Sequence, residues 1–208
     1  MAARVITIAQ QKGGAGKTTL AAQLAVTWSG QGRRLALLDI DPQASLAAWV
    51  ELRRERVGDL GFDFDALSGW RAAEWIERHA RDVDFVVVDS PPHAELEAKI
   101  AVRAAGLVVV PLQPSPLDLW STATTLKLAR EEGRPVLAVL NRMPARSNLI
   151  DTVTAQLARD GVAVAAARLG GRVAFTQAMA LGRGVTESAP SSLAAAEIAA
   201  LAAEIGQV

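Results

Sequence analysis

The 208-residue sequence contains no cysteine, no tyrosine and only two histidines, His79 and His93. Without cysteine the chain forms no disulfide, thiolate metal site or iron–sulfur cluster, and it offers no cysteine nucleophile. Two histidines also argue against a histidine-rich metal site.

Long apolar runs are absent too, and so is a net charge. No stretch approaches 18 uninterrupted apolar residues, and the opening "MAARVITIAQQ" is not a signal peptide. We therefore expect a soluble, cytoplasmic protein. The formal charge of zero is unevenly distributed: residues 51–100 carry a net −5 and residues 142–183 a net +4. Either this is ordinary surface variation or the second segment is a basic face for an anionic partner.

Short β-branched runs alternate with helical stretches along the whole chain. This alternation predicts an α/β fold, a single doubly wound and mostly parallel sheet with helices on both faces, in one domain spanning 1–208. The predicted strands are Val5–Ala9, Leu35–Asp39, Phe62–Phe64, Phe85–Asp89, Leu107–Pro111, Val136–Asn141 and Val162–Ala166. The predicted helices are Lys17–Ser29, Ser45–Arg56, Ala72–Ala80, Glu95–Ala104, Leu117–Glu132, Leu149–Asp160, Val173–Leu181 and Ser192–Ile205.

A phosphate-binding loop follows the first predicted strand and leads into the first helix, in "VITIAQQKGGAGKTTLAAQLA". Lys17 is expected on the β- and γ-phosphates, the Thr18 hydroxyl on Mg²⁺, and Thr19 at the α-phosphate. Gln11 replaces the first glycine of the usual G-x-x-x-x-G-K-[ST] pattern, and a second lysine, Lys12, follows it. The remaining loop residues, whose backbone N–H groups would surround the phosphates, are Gly13, Gly14, Ala15 and Gly16.

Polar residues end three of the predicted strands. Asp39 and Asp41 stand two apart, so both carboxylates can face one site at the carboxyl end of the sheet. Asp89 ends the run "FVVVD" and is expected to hold Mg²⁺ through water. Asn141 offers a donor and an acceptor that suit the edge of a base such as adenine. His93, four residues after Asp89, is interpreted as a loop residue.

Together "KGGAGKTT", "DIDPQ", "VVVDSPP" and "PLQPSPLD" resemble the ParA/MinD superfamily of deviant-Walker ATPases, and most of all small partition ATPases of the ParF type. The resemblance implies that Lys12 is the signature lysine that reaches the partner's phosphates in an ATP-sandwich dimer. It implies that Asp41 orients the attacking water, that Asp39 supports the metal shell and that Asn141 contacts adenine. The nucleotide and Mg²⁺ contacts it implies are Lys17, Thr18 and Asp89.

The function implied by this resemblance is that of a partition or positioning ATPase. It would hydrolyse ATP with Mg²⁺, form a homodimer on ATP, bind DNA without sequence preference and respond to a centromere-binding or adaptor protein. We expect no membrane partner, and association with the nucleoid in the ATP-bound state. Because the first strand begins by about residue 4, we expect no N-terminal helix-turn-helix and no operator-specific reading of DNA. The candidate DNA contacts, with Arg172 ranked first, are Arg142, Arg146, Arg168, Arg172 and Arg183.

Two alternatives remain open. A MinD-like membrane ATPase needs an amphipathic, usually basic C-terminal helix, whereas the tail "SSLAAAEIAALAAEIGQV" has two glutamates and no lysine or arginine. A metabolic ligase of the dethiobiotin-synthetase type would use the same loop to phosphorylate a carboxylate substrate. Lys12 and the "DIDPQ" segment argue against it. An iron–sulfur carrier and a self-phosphorylating tyrosine kinase of this superfamily are excluded, because cysteine and tyrosine are missing.

Overall fold

One parallel sheet organises the protein in the computed structural model, which describes residues 3–92 and 95–207. The seven strands in these ranges are β1 (Arg4–Ile8), β2 (Leu35–Asp39), β3 (Asp63–Ala66), β4 (Phe85–Asp89), β5 (Leu107–Leu112), β6 (Val136–Leu140) and β7 (Ala163–Val164). Their spatial order is β3-β2-β4-β1-β5-β6-β7, and every pairing is parallel. The predicted doubly wound sheet is confirmed.

Helices connect the strands and cover both faces of the sheet. Those in the described ranges are α1 (Lys17–Gly30), α2 (Ser45–Val57), α3 (Gly69–His79), α4 (Glu95–Ala104), α5 (Pro116–Glu131), α6 (Ile150–Arg159), α7 (Val173–Ala180), α8 (Val185–Ser188) and α9 (Leu193–Ile205). All but α8 correspond to predicted helices, with ends that differ by a few residues. The α8 helix has only one turn, too short for an apolar period to show in the sequence.

The central strands β2, β4 and β5 are buried along their full length, which explains why they read as continuous apolar runs. Alternate side chains enter opposite layers. Leu37 and Val87 pack against α1, α2 and α9, whereas Leu38 and Val88 pack against α3 and α4. Helices α5 and α6 continue the second layer over β5 and β6.

The α1 helix packs against both the sheet and the C-terminal helix α9. Trp28 of α1 stacks on Phe85 with ring centroids 4.3 Å apart, and its indole N–H donates to the Ala202 carbonyl at 3.2 Å. Ile198 and Leu201 of α9 are fully buried in the same layer. The apolar side of the tail therefore packs on the protein body. None of the described helices combines the length and apolar character of a membrane span.

Strand order brings three sequence motifs to one edge of the sheet. β1 lies between β4 and β5, and β4 lies between β1 and β2. In this register Asp89 is opposite Ile8 on one side and Asp39 on the other. The loop after β1 therefore lies beside the two acidic strand ends, Asp89 and Asp39. The connection from β4 to β5 crosses over β1 at this place, and open α/β sheets bind ligands at such crossover points.

Candidate nucleotide-binding site

The glycine loop occupies residues 11–16, between β1 and α1. Gly14 and Gly16 have positive φ angles of 76° and 91°, a region that side chains disfavour. A Cβ on Gly16 would also stand 2.6 Å from the Asn141 amide nitrogen. Backbone conformation and space therefore both require glycine at position 16, directly before the helix N-terminus that favours anions.

Lys17 begins α1 and is almost completely buried. Its ammonium group donates to the carbonyl of Gln10 at 3.0 Å. Burial lowers the pKa of Lys17, while the nearby carboxylates of Asp89 and Asp41 act in the opposite direction. A buried cation on a backbone carbonyl is a poor resting state, so incoming phosphate oxygens would be strong partners for it.

Thr18 and Asp89 are already in contact, as a shared metal ion requires. The Thr18 hydroxyl donates to Asp89 Oδ2 at 2.7 Å, and the buried Asp89 Oδ1 has no partner among the described residues. Burial raises the pKa of Asp89 to about 7, although the hydrogen bond from Thr18 opposes this. The orphaned oxygen fits a hard cation such as Mg²⁺. Among the described residues no three acidic or histidine side chains are arranged to hold a metal ion together, so water and phosphate would complete its shell. His93 lies outside the described residues.

Asp39 holds the loop that carries Asp41. Its Oδ1 accepts from the Asp41 N–H at 2.9 Å, and its Oδ2 accepts from the Ala47 N–H at 3.0 Å. Burial raises the pKa of Asp39, and these two bonds partly offset the rise. Asp41 is half-buried, and its Oδ1 caps the Gln43 N–H at 3.0 Å. The observed role of Asp39 is thus to position Asp41, and its support of a metal shell stays a prediction.

The side chain of Lys12 contacts helix α5. Its ammonium group forms an ion pair with Asp118 Oδ2 of α5 at 2.6 Å. The same helix contacts the loop a second time, because the Gln10 amide donates to the Thr122 hydroxyl at 2.8 Å. Sequence reasoning missed both Asp118 and Gln10. The "PSPLD" segment stands out only as part of a family resemblance, and no local pattern relates it to a lysine 106 residues earlier.

A cleft of about 570 Å³ adjoins the start of α1, within the size range of small-molecule sites. Asn141 lies in its wall, donates to the Ala15 carbonyl at 2.8 Å and accepts from the Arg142 N–H, so it also fixes the loop. One donor and one acceptor position of its amide stay available for a base. The lining residues that sequence reasoning missed are Leu20, Gln23, Leu169, Gly170, Gly171, Val173, Phe175, Thr176, Met179 and Ile198. The adjacent glycines Gly170 and Gly171 were the feature of the sequence that could have indicated this wall of the cleft.

The five candidate DNA-binding arginines fall into two groups. Arg142 donates to the Gly14 carbonyl, and Arg172 forms two hydrogen bonds with Glu197 at 2.9 and 2.6 Å, so both belong to the wall of the cleft. Arg146, Arg168 and Arg183 are exposed and make no ion pair with the described residues. The structure thus gives Arg172, which the sequence analysis ranks first, an intramolecular carboxylate partner.

Comparison with known proteins identifies the fold and the loop together. A family model described as the CobQ/CobB/MinD/ParA nucleotide binding domain matches residues 6–185. The chain belongs to this family. The matched range contains the glycine loop, the three aspartates Asp39, Asp41 and Asp89, and all of the cleft lining except Ile198. Membership in this nucleotide-binding family confirms the resemblance to the ParA/MinD superfamily found in the sequence.

Within this family, the chain is similar to individual proteins that are named for positioning or partition. It is 30% identical over 203 residues to the maintenance of carboxysome distribution protein A of Halothiobacillus neapolitanus, covering 92% of this chain and 91% of the relative. It is 31% identical over 183 residues to the protein ParA of Rhizobium radiobacter, covering 83% and 80%. The fold is that of the cell division ATPase MinD of Pyrococcus furiosus, with a TM-score of 0.82, 22% identity and 98% of each chain covered.

Proposed function

We propose that this protein is a slow, Mg²⁺-dependent ATPase that dimerises on ATP and positions a large cargo, such as a plasmid, a chromosome region or a protein assembly. One observation carries the proposal: the loop has two lysines that diverge. Lys17 is buried at the loop, whereas the side chain of Lys12 is 36% exposed and turned toward α5. A single nucleotide in this loop would be served by Lys17, which leaves Lys12 for the nucleotide of a second subunit.

In this proposal each residue of the site has one task. The loop N–H groups and Lys17 bind the phosphates, and Asn141 and the cleft hold the base. Thr18 and Asp89 would hold Mg²⁺, which neutralises charge on the phosphate oxygens. Asp41, presented by Asp39, orients the water that attacks the terminal phosphate. Lys12 adds a second cation only when two subunits meet, so dimerisation and hydrolysis are coupled.

The dimer is proposed to bind DNA through exposed arginines. Arg146 and Arg168 lie on the loops that follow β6 and β7, and the backbone bridge between Met143 and Gly170 joins these loops. Two subunits double the number of guanidinium groups that face phosphates, which links DNA affinity to ATP. We also propose that a partner protein accelerates hydrolysis, because an arginine supplied in trans is worth about 10³ or more in other nucleotide switches.

Turnover by Asp41→Ala tests the proposed hydrolytic site. This variant should bind ATP within about threefold of the parent's affinity, because the phosphate contacts remain. Its hydrolysis should fall by about 100-fold or more, because the water is no longer oriented. Asp151→Ala removes an exposed carboxylate from α6 and serves as the matched control. Wild-type turnover by Asp41→Ala would refute the assignment, and stimulation by a small carboxylic acid instead of DNA or protein would favour the ligase alternative.

A further inference from the structure

The ion pair between Lys12 and Asp118 joins a movable cation to a fixed anion. The Asp118 side chain is 3% exposed, whereas that of Lys12 is 36% exposed. Ser115 donates to Asp118 Oδ2 at 2.6 Å, and the Gln113 N–H donates to Oδ1 at 3.3 Å. Among the described residues Lys12 is the cation that pairs with this carboxylate. The lysine end of the pair is therefore the end that can leave.

Asp118 is charged at neutral pH despite its burial. Burial alone would raise the pKa of Asp118, but hydrogen bonds from Lys12, Ser115 and the Gln113 N–H hold it below the ordinary value. A buried carboxylate that loses its paired cation is disfavoured, because the remaining hydrogen bonds from Ser115 and the Gln113 N–H bring no full countercharge. Releasing Lys12 therefore costs free energy.

The loop backbone does not have to move when Lys12 leaves. The Lys12 N–H donates to Gln10 Oε1 at 3.4 Å, and the Gln10 amide is held by Thr122 of the same α5 helix. The Gln11 N–H also donates to the Thr125 hydroxyl at 3.3 Å. These contacts keep the glycine loop docked on α5, so the side chain of Lys12 can rotate away alone.

We propose that Asp118 is a positioning residue that holds Lys12 on its own subunit and thereby sets the threshold for ATP-driven dimerisation. The inference rests on the proposed function and concerns its regulation. Lys12 cannot contact Asp118 and the partner's phosphates together, so each dimer breaks two of these pairs. The several negative charges of a bound nucleotide can displace one carboxylate, whereas an empty site offers no competitor.

Asp118→Asn tests the inference in an Asp41→Ala parent that retains ATP. Asparagine keeps the shape and an acceptor for Ser115 but removes the charge. If each pair contributes about threefold, a level typical of partly exposed ion pairs, the dimer dissociation constant should fall by about tenfold. Sedimentation velocity over a protein concentration series at saturating Mg²⁺ and ATP measures this constant. Glu131→Gln removes one negative charge from the exposed face of α5 and should leave it unchanged.

The effect must also depend on Lys12. In a Lys12→Ala background the protein should stay monomeric with ATP whether or not Asp118→Asn is added, whereas dimerisation restored by Asp118→Asn would show that Asp118 acts independently of Lys12. An unchanged or weaker dimer in Asp118→Asn, or an equal effect without Lys12, would overturn the inference while leaving the proposed function intact. If the Asp41→Ala parent itself stays monomeric with ATP, the proposed function and this inference both fail.

If Asp118→Asn fails to fold, NMR of the Lys12 ammonium group tests the inference instead. The chain has four lysines, so ¹⁵N-edited NMR can resolve the Lys12 ammonium signal, assigned by its loss in Lys12→Ala. In the nucleotide-free protein the signal should show the slow hydrogen exchange of an ion-paired group. With ATP bound to Asp41→Ala, its chemical shift should change as the partner becomes phosphate. An identical Lys12 signal in the two states would overturn the inference.

Discussion

Charged residues that folding would ordinarily keep in water are buried around the glycine loop. Asp39, Asp89 and Lys17 are each less than 10% exposed. Burial raises the pKa of both carboxyl groups and lowers the pKa of the lysine, so in each case it opposes the charged form. These side chains destabilise the empty protein, and a ligand that carries phosphates and Mg²⁺ would supply their missing partners.

Asp89→Asn should therefore stabilise the nucleotide-free protein. Folded Asp89 has a pKa near 7, against 3.8 for an ordinary aspartate, so the folded state holds a proton that the unfolded chain has released. Stability from this group is present at acid pH and is lost as pH rises toward 7. The variant should melt several degrees above wild type at pH 7.5, and the difference should shrink toward pH 5. The rise in melting temperature on adding Mg²⁺ and ATP should be smaller in the variant than in the wild type.

Asp84→Asn is the control with the opposite sign. Hydrogen bonds from Arg34 lower the pKa of Asp84 at the surface, so its contribution is present above the ordinary pKa and is lost at acid pH. This variant should melt slightly below wild type at pH 7.5. Thermal unfolding between pH 5 and 8 checks both changes. A melting temperature of Asp89→Asn below that of wild type at pH 7.5 would contradict the destabilisation assigned to the buried Asp89 carboxylate.

Most residues that act through the backbone or a local motif were predictable. Lys17, Thr18 and the glycines are identified by their spacing, and Asp39 and Asp89 by their place at the ends of apolar runs. The pairs Lys12–Asp118 and Arg172–Glu197 were not predictable, because they join elements distant in sequence. Only the fold brings α5 to the loop and α9 to the cleft.

At the scale of elements, the contacts of α9 distinguish a tail that packs on the protein from a tail that binds a membrane. Its alanine-rich sequence allows close contact with α1, and Glu197 and Glu204 use their carboxylates on the loops before α7. The two acidic residues of the tail are thus structural, and Glu197 fixes one wall of the cleft through Gly170 and Arg172. The sequence predicted the helix from its period and its serine start, and Ser192 indeed caps the Ala195 N–H at 3.1 Å.

Leu201→Ala and Leu193→Ala form a matched pair that tests this packing. Leu201 is fully buried, whereas Leu193 on the same helix is 66% exposed. Removing the buried side chain should lower the free energy of unfolding by about 2–5 kcal/mol, and removing the exposed one by less than about 0.5 kcal/mol. Urea unfolding measures both. Equal effects would show that α9 is not packed as described, and loss of binding to anionic vesicles in Leu193→Ala would support a membrane role.

At the scale of the whole molecule, the charge asymmetry of the sequence acquires a location. The net +4 segment 142–183 includes α6, β7 and α7, and its loops after β6 and β7 lie at the same carboxyl edge of the sheet as the glycine loop. Arginines from one short region therefore divide between the cleft and the exposed surface. The sequence alone could not separate them, because burial and the Glu197 partner depend on the packing of α9.

DNA binding should depend on the exposed arginines and on ATP. In the Asp41→Ala parent with ATP, Arg146→Ala with Arg168→Ala should weaken binding to random duplex DNA. The slope of log affinity against log salt should fall by about 0.9 for each DNA phosphate that the protein no longer neutralises. Arg130→Ala removes an exposed arginine from α5 as the control. Equal DNA affinity with ATP, with ADP and without nucleotide would contradict the proposed link between dimerisation and DNA.

The central claim is that the second lysine of the loop serves a second subunit, and light scattering of the Asp41→Ala protein tests it most directly. Without nucleotide the protein should have the mass of one 21.9 kDa chain, and with Mg²⁺ and ATP it should have twice that mass. Adding Lys12→Ala should keep it monomeric with ATP still bound, whereas Lys127→Ala, which removes an exposed lysine from α5, should not. A Lys12→Ala protein that dimerises with unchanged affinity would contradict the claim.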